Sequence, residues 1–197
     1  MKKTEKIIRL AKKNQGIVTS SMVDGEQLSR MILKYLASTG KLIKTDRGIY
    51  VLPDAMEDDF VQLQNRFKKG IFSFSSALFL WGLTDQTPNE FHMTFPNSYN
   101  LTNPKKRGIR CHQTKESLFL VGVNPIKTPG GNEVRCYNPE RTLCDLLVHK
   151  KGVDVQILSD AFKRYTASDK RNIPLLLEYA NMFRVEAKVK TYLEVLL

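Results

Sequence analysis

Gln27 to Leu52 reads QLSRMILKYLASTGKLIKTDRGIYVL, and two signals in this stretch decide the fold of the first quarter of the chain. The first is helical. From Gln27 to about Ser38, Leu28, Met31, Ile32, Tyr35 and Leu36 recur at helical spacing, opposite a side that shows Gln27, Arg30, Lys34 and Ala37. The apolar stripe is expected to pack and the polar stripe to face out, with Gly40 closing the helix. The second signal is a hairpin, in which Lys41-Leu42-Ile43-Lys44 and Gly48-Ile49-Tyr50-Val51-Leu52 flank Thr45-Asp46-Arg47. Upstream, Lys2 to Lys13 places Ile7, Ile8, Leu10 and Ala11 on one side of a first helix, which Asn14-Gln15-Gly16 ends. Ile17 to Val23 then reads as a short second helix with Thr19 as N-cap, and Asp24-Gly25 as a tight turn.

Three helices followed by a hairpin in about 50 residues is the order of a winged helix-turn-helix, whose third helix enters a major groove. The chemistry of the outward side agrees. Gln27 and Arg30 offer bidentate hydrogen bonds to adenine or guanine edges, and Lys34 suits phosphate. Lys41, Lys44 and Arg47 put positive charge on or beside the wing, and Ser20 and Ser21 near the second helix can donate to phosphate. A one-residue error in helix phase would exchange the base-reading assignments. Modules of this shape also mediate protein contacts, and lysines on a helix are commonly just solvated.

The 197 residues carry 31 Lys plus Arg against 20 Asp plus Glu, a formal +11, with 42% hydrophobic residues. Such a chain can build a core, and its charge favours a polyanionic partner. Charges interrupt the apolar run of MKKTEKIIRLAKK before it reaches a signal-peptide core. No apolar run is long enough to span a membrane. Cys111, Cys136 and Cys144 are odd in number and irregularly spaced, which argues against a disulfide framework and for a reducing compartment. The expectation is a cytoplasmic protein.

The charge is uneven: residues 1–53 hold 11 basic and 4 acidic side chains, and residues 61–197 hold 20 and 12. Between them, 54–60 contains Asp54, Glu57, Asp58 and Asp59 and no base, after a proline that cannot continue a central strand. The reading is a winged helix-turn-helix over 1–53, an acidic linker over 54–60 and a larger mixed α/β domain over 61–197 that ends in several helices. In that domain Ser73 to Leu83 reads as a buried, serine-capped helix, Phe91 to Phe95 as a strand, and Asn97 to Gly108 as a polar loop. Strands are expected at Gly108 to Gln113, Leu118 to Val123 and Glu133 to Tyr137. Helices are expected at Pro139 to Val148, Asp154 to Tyr165, Ile173 to Phe183 and Val185 to Leu197.

No phosphate-cradling glycine motif, HExxH or GxSxG is present, so no catalytic residues are assigned. No metal site or cofactor is assigned either, since Cys111-His112 and Cys136 lack metal-ligand spacing. His92 in a strand, His149 at a helix end and Trp81 read as structural. Arg141 and Asp145 lie four apart on one helix, as a structural pair or a functional surface. Lys105, Lys106, Arg107 and Arg110 form either a solvated loop or a second basic surface for nucleic acid.

Three segments, GKLIKTDRGIYVLP, SSALFLWGLTDQTP and NPERTLCDLL, give the chain a resemblance to the AbiEi antitoxins of type IV toxin-antitoxin (abortive phage infection) systems. The resemblance runs over nearly the whole chain. It implies a winged helix that represses the operon's own promoter through inverted repeats in double-stranded DNA. It also implies a C-terminal domain needed to oppose a nucleotidyltransferase-like toxin without a stable complex. No heptad seam is visible, so a monomer or weak dimer that places two copies on the operator is expected. The alternatives are an enzyme, such as a nuclease or modifying enzyme, and a ligand-responsive transcription factor, with the C-terminal domain as catalytic or sensor domain.

Overall fold

The computed structural model describes residues 2–55, 58–148 and 154–197; Met56 and Glu57 of the acidic stretch, and His149, lie outside them. The chain divides into two compact units, one of Met1–Lys68 with Lys127–Val134 and one of Lys69–Ile126 with Arg135–Leu197. The first unit thus extends past the acidic stretch and takes in a distant segment.

The first unit runs α1 (Lys3–Lys13), β1 (Ile17–Thr19), α2 (Ser20–Gly25), α3 (Met31–Ser38), β2 (Ile43–Asp46), β3 (Ile49–Val51) and α4 (Asp59–Arg66). The expected second helix over 17–23 is half strand. Ile17 and Val18 are β-branched and buried, and they pair antiparallel with Val51 and Tyr50, so sheet pairing overrides the short helical reading. Thr19 does cap α2, its hydroxyl accepting from Met22 N at 3.3 Å. The expected hairpin becomes a three-stranded sheet of order β1-β3-β2, in which Lys44 pairs with Tyr50. Ile7, Ala11, Val18, Val23, Leu33, Leu36, Leu42 and Tyr50 form the core. Gly16, at φ +87°, has no room for a side chain, because a Cβ would collide with that of Ala55.

Helix α4 begins inside the stretch expected to be an acidic linker. Its N-cap is Asp58, a buried residue whose carboxylate accepts from Val61 N at 3.2 Å, from Asn132 Nδ2 at 3.1 Å and from the Thr128 hydroxyl. One carboxylate of the acidic stretch is therefore an internal fastener, and it holds the Lys127–Val134 segment to the first unit.

The second unit runs β4 (Ile71–Phe72), α5 (Phe74–Leu80), β5 (His92–Pro96), α6 (Thr102–Lys106), β6 (Arg110–Thr114), α7 (Glu116–Phe119), β7 (Val123–Lys127), β8 (Glu133–Tyr137), α8 (Pro139–Val148), α9 (Val155–Ala167), α10 (Ile173–Met182) and α11 (Glu186–Leu196). The strands lie in the order β6-β5-β4-β8-β7. Pairing is antiparallel for β4 with β5 and parallel for β4 with β8 and β5 with β6. The expected strand over 118–123 is replaced by α7 and a turn through Gly122, and the strand follows it as β7. Pro125 sits inside β7, which an edge strand tolerates. The polar loop over 97–108 contains α6. Ser73 stands at the N-cap of α5 without capping it, because its hydroxyl is taken by Thr94 Oγ1 at 2.9 Å. The closing helices pack Leu143, Leu147, Phe162, Tyr165, Leu176 and Val189 into one core with Phe74 and Leu78. Glu140 is buried there and accepts from the Tyr165 hydroxyl at 2.9 Å. Trp81 is half-buried against this core, its Nε1 donating to Tyr137 O at 2.7 Å. None of the described helices is long and apolar enough to cross a membrane.

Asp58→Ala removes a helix cap, leaves the Thr128 hydroxyl without its acceptor and takes one of two acceptors from Asn132 Nδ2. It is expected to cost about 2 kcal/mol by denaturant unfolding of the full chain. Asp54→Ala, an exposed control in the same acidic stretch, is expected to stay within about 0.5 kcal/mol of wild type.

Candidate nucleic-acid interface

Helix α3 carries more apolar residues than one face can bury, and the core takes Leu33 and Leu36, with Leu28, Ile32 and Ala37 half-buried beside them. This turns the helix away from the phase read in the sequence. Met31 and Tyr35, assigned above to the packed stripe, are 75% and 57% exposed, and Leu33, which that reading passed over, is buried. The outward face is Met31, Lys34, Tyr35 and Ser38, spaced i, i+3, i+4 and i+7. Of the residues expected to read bases or phosphates from this helix, Lys34 keeps its place on that face.

Gln27 and Arg30 precede the helix. Gln27 occupies the turn after α2 at φ +55° and is exposed, and Arg30 is the N-cap of α3. Just ahead of it, the Ser29 hydroxyl accepts from Met31 N at 3.3 Å and satisfies one of the first-turn donors of the helix. Arg30 Nε donates to Asp24 Oδ1 at 2.7 Å and Nη2 to the other carboxylate oxygen, a bidentate pair at the surface. That bond holds the Asp24 carboxyl below its ordinary range. A guanine edge would have to displace Asp24 to reach this guanidinium.

The wing brings the other expected residues forward. Lys41, Lys44 and Arg47 are exposed, respectively before β2, on it and in the turn that follows. Asp46, which would weaken a cationic wing, has both carboxylate oxygens on Arg66 Nη1, at 2.7 and 2.6 Å. Ser20 opens α2 with its N–H on Gly48 O at 2.8 Å, and the exposed Ser21 shares a 2.9 Å hydrogen bond with Thr19. The wing turn and the start of α2 are thus fastened together.

In the second unit Lys105, Lys106, Arg107 and Arg110 are all exposed, at the end of α6 and the start of β6. Arg110 stands 3.9 Å from Glu90. Arg141 and Asp145 are different in kind, because both are buried. Arg141 Nε donates to Asp145 Oδ1 at 2.9 Å, and Nη1 donates to the carbonyls of Leu118 and Val121 at 2.8 and 3.2 Å. The guanidinium lies between the rings of Tyr137 and Phe183, at 4.4 and 4.0 Å. Gly122 makes room, since a Cβ there would stand 2.7 Å from that of Arg141. Burial pushes the Asp145 carboxyl up to about 6, against the opposing pull of Arg141.

His92 and His112 meet across β5 and β6 with Nδ1 and Nε2 3.1 Å apart, and Phe74 stacks on His112 at 3.8 Å. Burial lowers the His92 pKa. Among the described residues no three His, Cys, Asp or Glu side chains come together as a metal site.

Residues 5–53 match the family of transcriptional regulators described as AbiEi antitoxin. Of the three segments that resemble this family, the match takes in Gly40 to Pro53; the other two lie beyond it. Among solved structures the chain is similar to the RV2827C protein from Mycobacterium tuberculosis, with a TM-score of 0.52 and 14% identity over 89% of this chain and 72% of that one. At that identity the likeness is one of fold. A search of curated proteins gives no match.

Replacing Arg141 by Met strands a buried carboxylate and is expected to cost about 3–5 kcal/mol, part of which Asp145→Leu in the same chain restores. The raised Asp145 pKa means that the folded state holds this proton more tightly than the unfolded chain does. Stability from this group is therefore greatest below about pH 4 and declines as pH rises to about 6. The unfolding free energy of Asp145→Asn relative to wild type is accordingly expected to rise over that window, and a flat difference would count against it.

Proposed function

We propose, from the match of residues 5–53 to the AbiEi antitoxin regulators, that this protein is the antitoxin and autorepressor of its own type IV toxin-antitoxin operon, with a role in abortive phage infection. It binds inverted repeats in the promoter, two copies per operator, and acts in the cytoplasm. The second unit is needed to oppose a nucleotidyltransferase-like toxin without forming a stable complex with it, and no catalytic residues are assigned.

The observation that carries this reading is the outward face of α3. Two large apolar side chains, Met31 and Tyr35, stand exposed beside Lys34. Apolar side chains on a groove-entering helix contact thymine methyl groups, and a lysine beside them suits phosphate. The wing cations Lys41, Lys44 and Arg47 supply backbone contacts, and Ser20 and Ser21 add donors. Base reading accordingly moves from Gln27 and Arg30 to Met31 and Tyr35. Arg30, held by Asp24, orients the turn into the helix. The cluster Lys105, Lys106, Arg107 and Arg110 serves as a second contact to nucleic-acid backbone.

Binding of the full chain to DNA from its own promoter tests this. Lys44→Ala and Arg47→Ala are expected to weaken specific and nonspecific binding alike and to reduce the log-log salt slope by about 0.9 each. Tyr35→Ala is expected to lose about 1–3 kcal/mol on the operator and little on unrelated duplex. In cells, Tyr35→Ala should derepress the promoter while still protecting against the co-expressed toxin. Loss of protection with retained repression would refute the assignment.

A further inference from the structure

The second unit encloses a cleft of about 450 Å³ that the DNA-binding reading does not use. The Arg141–Asp145 pair lines it, together with Lys115 from the start of α7 and Arg184 from the turn between α10 and α11. Arg141 is 1% exposed and most of its donors are occupied, Nε by Asp145 and Nη1 by two carbonyls. The remaining amino group, Nη2, is different. It has no hydrogen-bond partner among the described residues and is not one of the sealed polar atoms. Two N–H donors of a buried guanidinium thus stand ready for an acceptor, and an acceptor that is itself charged gains most from them.

The charge of the cleft agrees. Asp145 is the carboxylate among the described lining residues, and its Oδ1 accepts from Arg141 Nε. Lys115 and Arg184 are exposed and make no ion pair among the described residues. An excess of two positive charges matches a dianion better than a single carboxylate.

Backbone strain gathers here too. Arg184 and Phe74 adopt left-handed conformations, at φ +58° and +49°, and both border the cleft. Strained backbone that the surrounding fold enforces is a recurrent mark of preorganised ligand sites.

We infer that this cleft binds a small phosphate-bearing molecule of nucleotide size, Arg141 Nη2 donating to a phosphate oxygen while Lys115 and Arg184 balance the remaining charge. The volume lies within the range of about 300–1,000 Å³ found for small-molecule sites. The site is independent of the DNA-binding face and stands or falls separately from it.

Calorimetric titration of the full chain with pyrophosphate, ATP and adenosine at fixed ionic strength tests the inference, with sulfate and a single-stranded oligonucleotide as competitors. Saturable one-to-one binding is expected for pyrophosphate and ATP and none for adenosine. Lys115→Ala and Arg184→Gly should each weaken it about tenfold or more, with unliganded melting temperatures no lower than wild type. Glycine suits the left-handed position, so the second variant removes the charge without adding strain. Arg141→Lys, which keeps the charge and loses the fork, should weaken binding likewise. The inference is overturned if neither phosphate probe binds, if the Lys115 and Arg184 variants bind as wild type does, if sulfate displaces the probes equally well, or if only the oligonucleotide binds.

Discussion

The second unit is organised around one buried guanidinium. A charge taken out of water is tolerated only where donors and rings replace the solvent on most sides, and Arg141 draws its replacements from several elements. Asp145 comes from its own helix, the carbonyls of Leu118 and Val121 from α7 and the turn after it, and the ring faces of Tyr137 and Phe183 from β8 and the end of α10. Each must stand where it does for the guanidinium to be buried at all. Gly122 lacks a side chain for the same reason. The arrangement that solvates Arg141 from within also leaves Nη2 to the cleft, so a structural need and a candidate binding group meet in one residue.

The first unit depends on a different constraint, the number of apolar residues its third helix can bury. Leu33 and Leu36 take the core positions, and Met31 and Tyr35 are left outside. A surface helix that exposes two large apolar side chains beside a lysine has a face suited to a partner with both methyl groups and phosphates. The wing pairs its one acid, Asp46, with Arg66, so that Lys44 and Arg47 stand without a neighbouring free carboxylate on their turn. Asp24 constrains Arg30 in the opposite sense, withdrawing a cation that the sequence alone offers to the groove.

Much of this was legible in the residues. The first helix, the wing, the strand Glu133–Tyr137 and the helix Pro139–Val148 follow from apolar periodicity, glycine and proline placement and β-branched runs, which act over a few neighbours. So did the pairing of Arg141 with Asp145, since four residues is one helical turn. What escaped depended on distant partners. Ile17 to Thr19 became a strand because Val51 and Tyr50 lie alongside, α4 starts where Asp58 finds Thr128 and Asn132, and His92 meets His112 through strand pairing.

The sequence by itself determined the basic winged module, the sequence segments that resemble AbiEi antitoxins and the order of most helices, because each is encoded in short-range pattern and composition. Only the tertiary structure decided which side of α3 faces out. Six apolar residues compete for one buried stripe there, and the choice between Leu33 and Tyr35 is made by the core they meet, not by their spacing. It also decided that Arg141 is buried with one amino group unsatisfied, since burial and hydrogen-bond saturation are properties of the surroundings that no local run of residues contains.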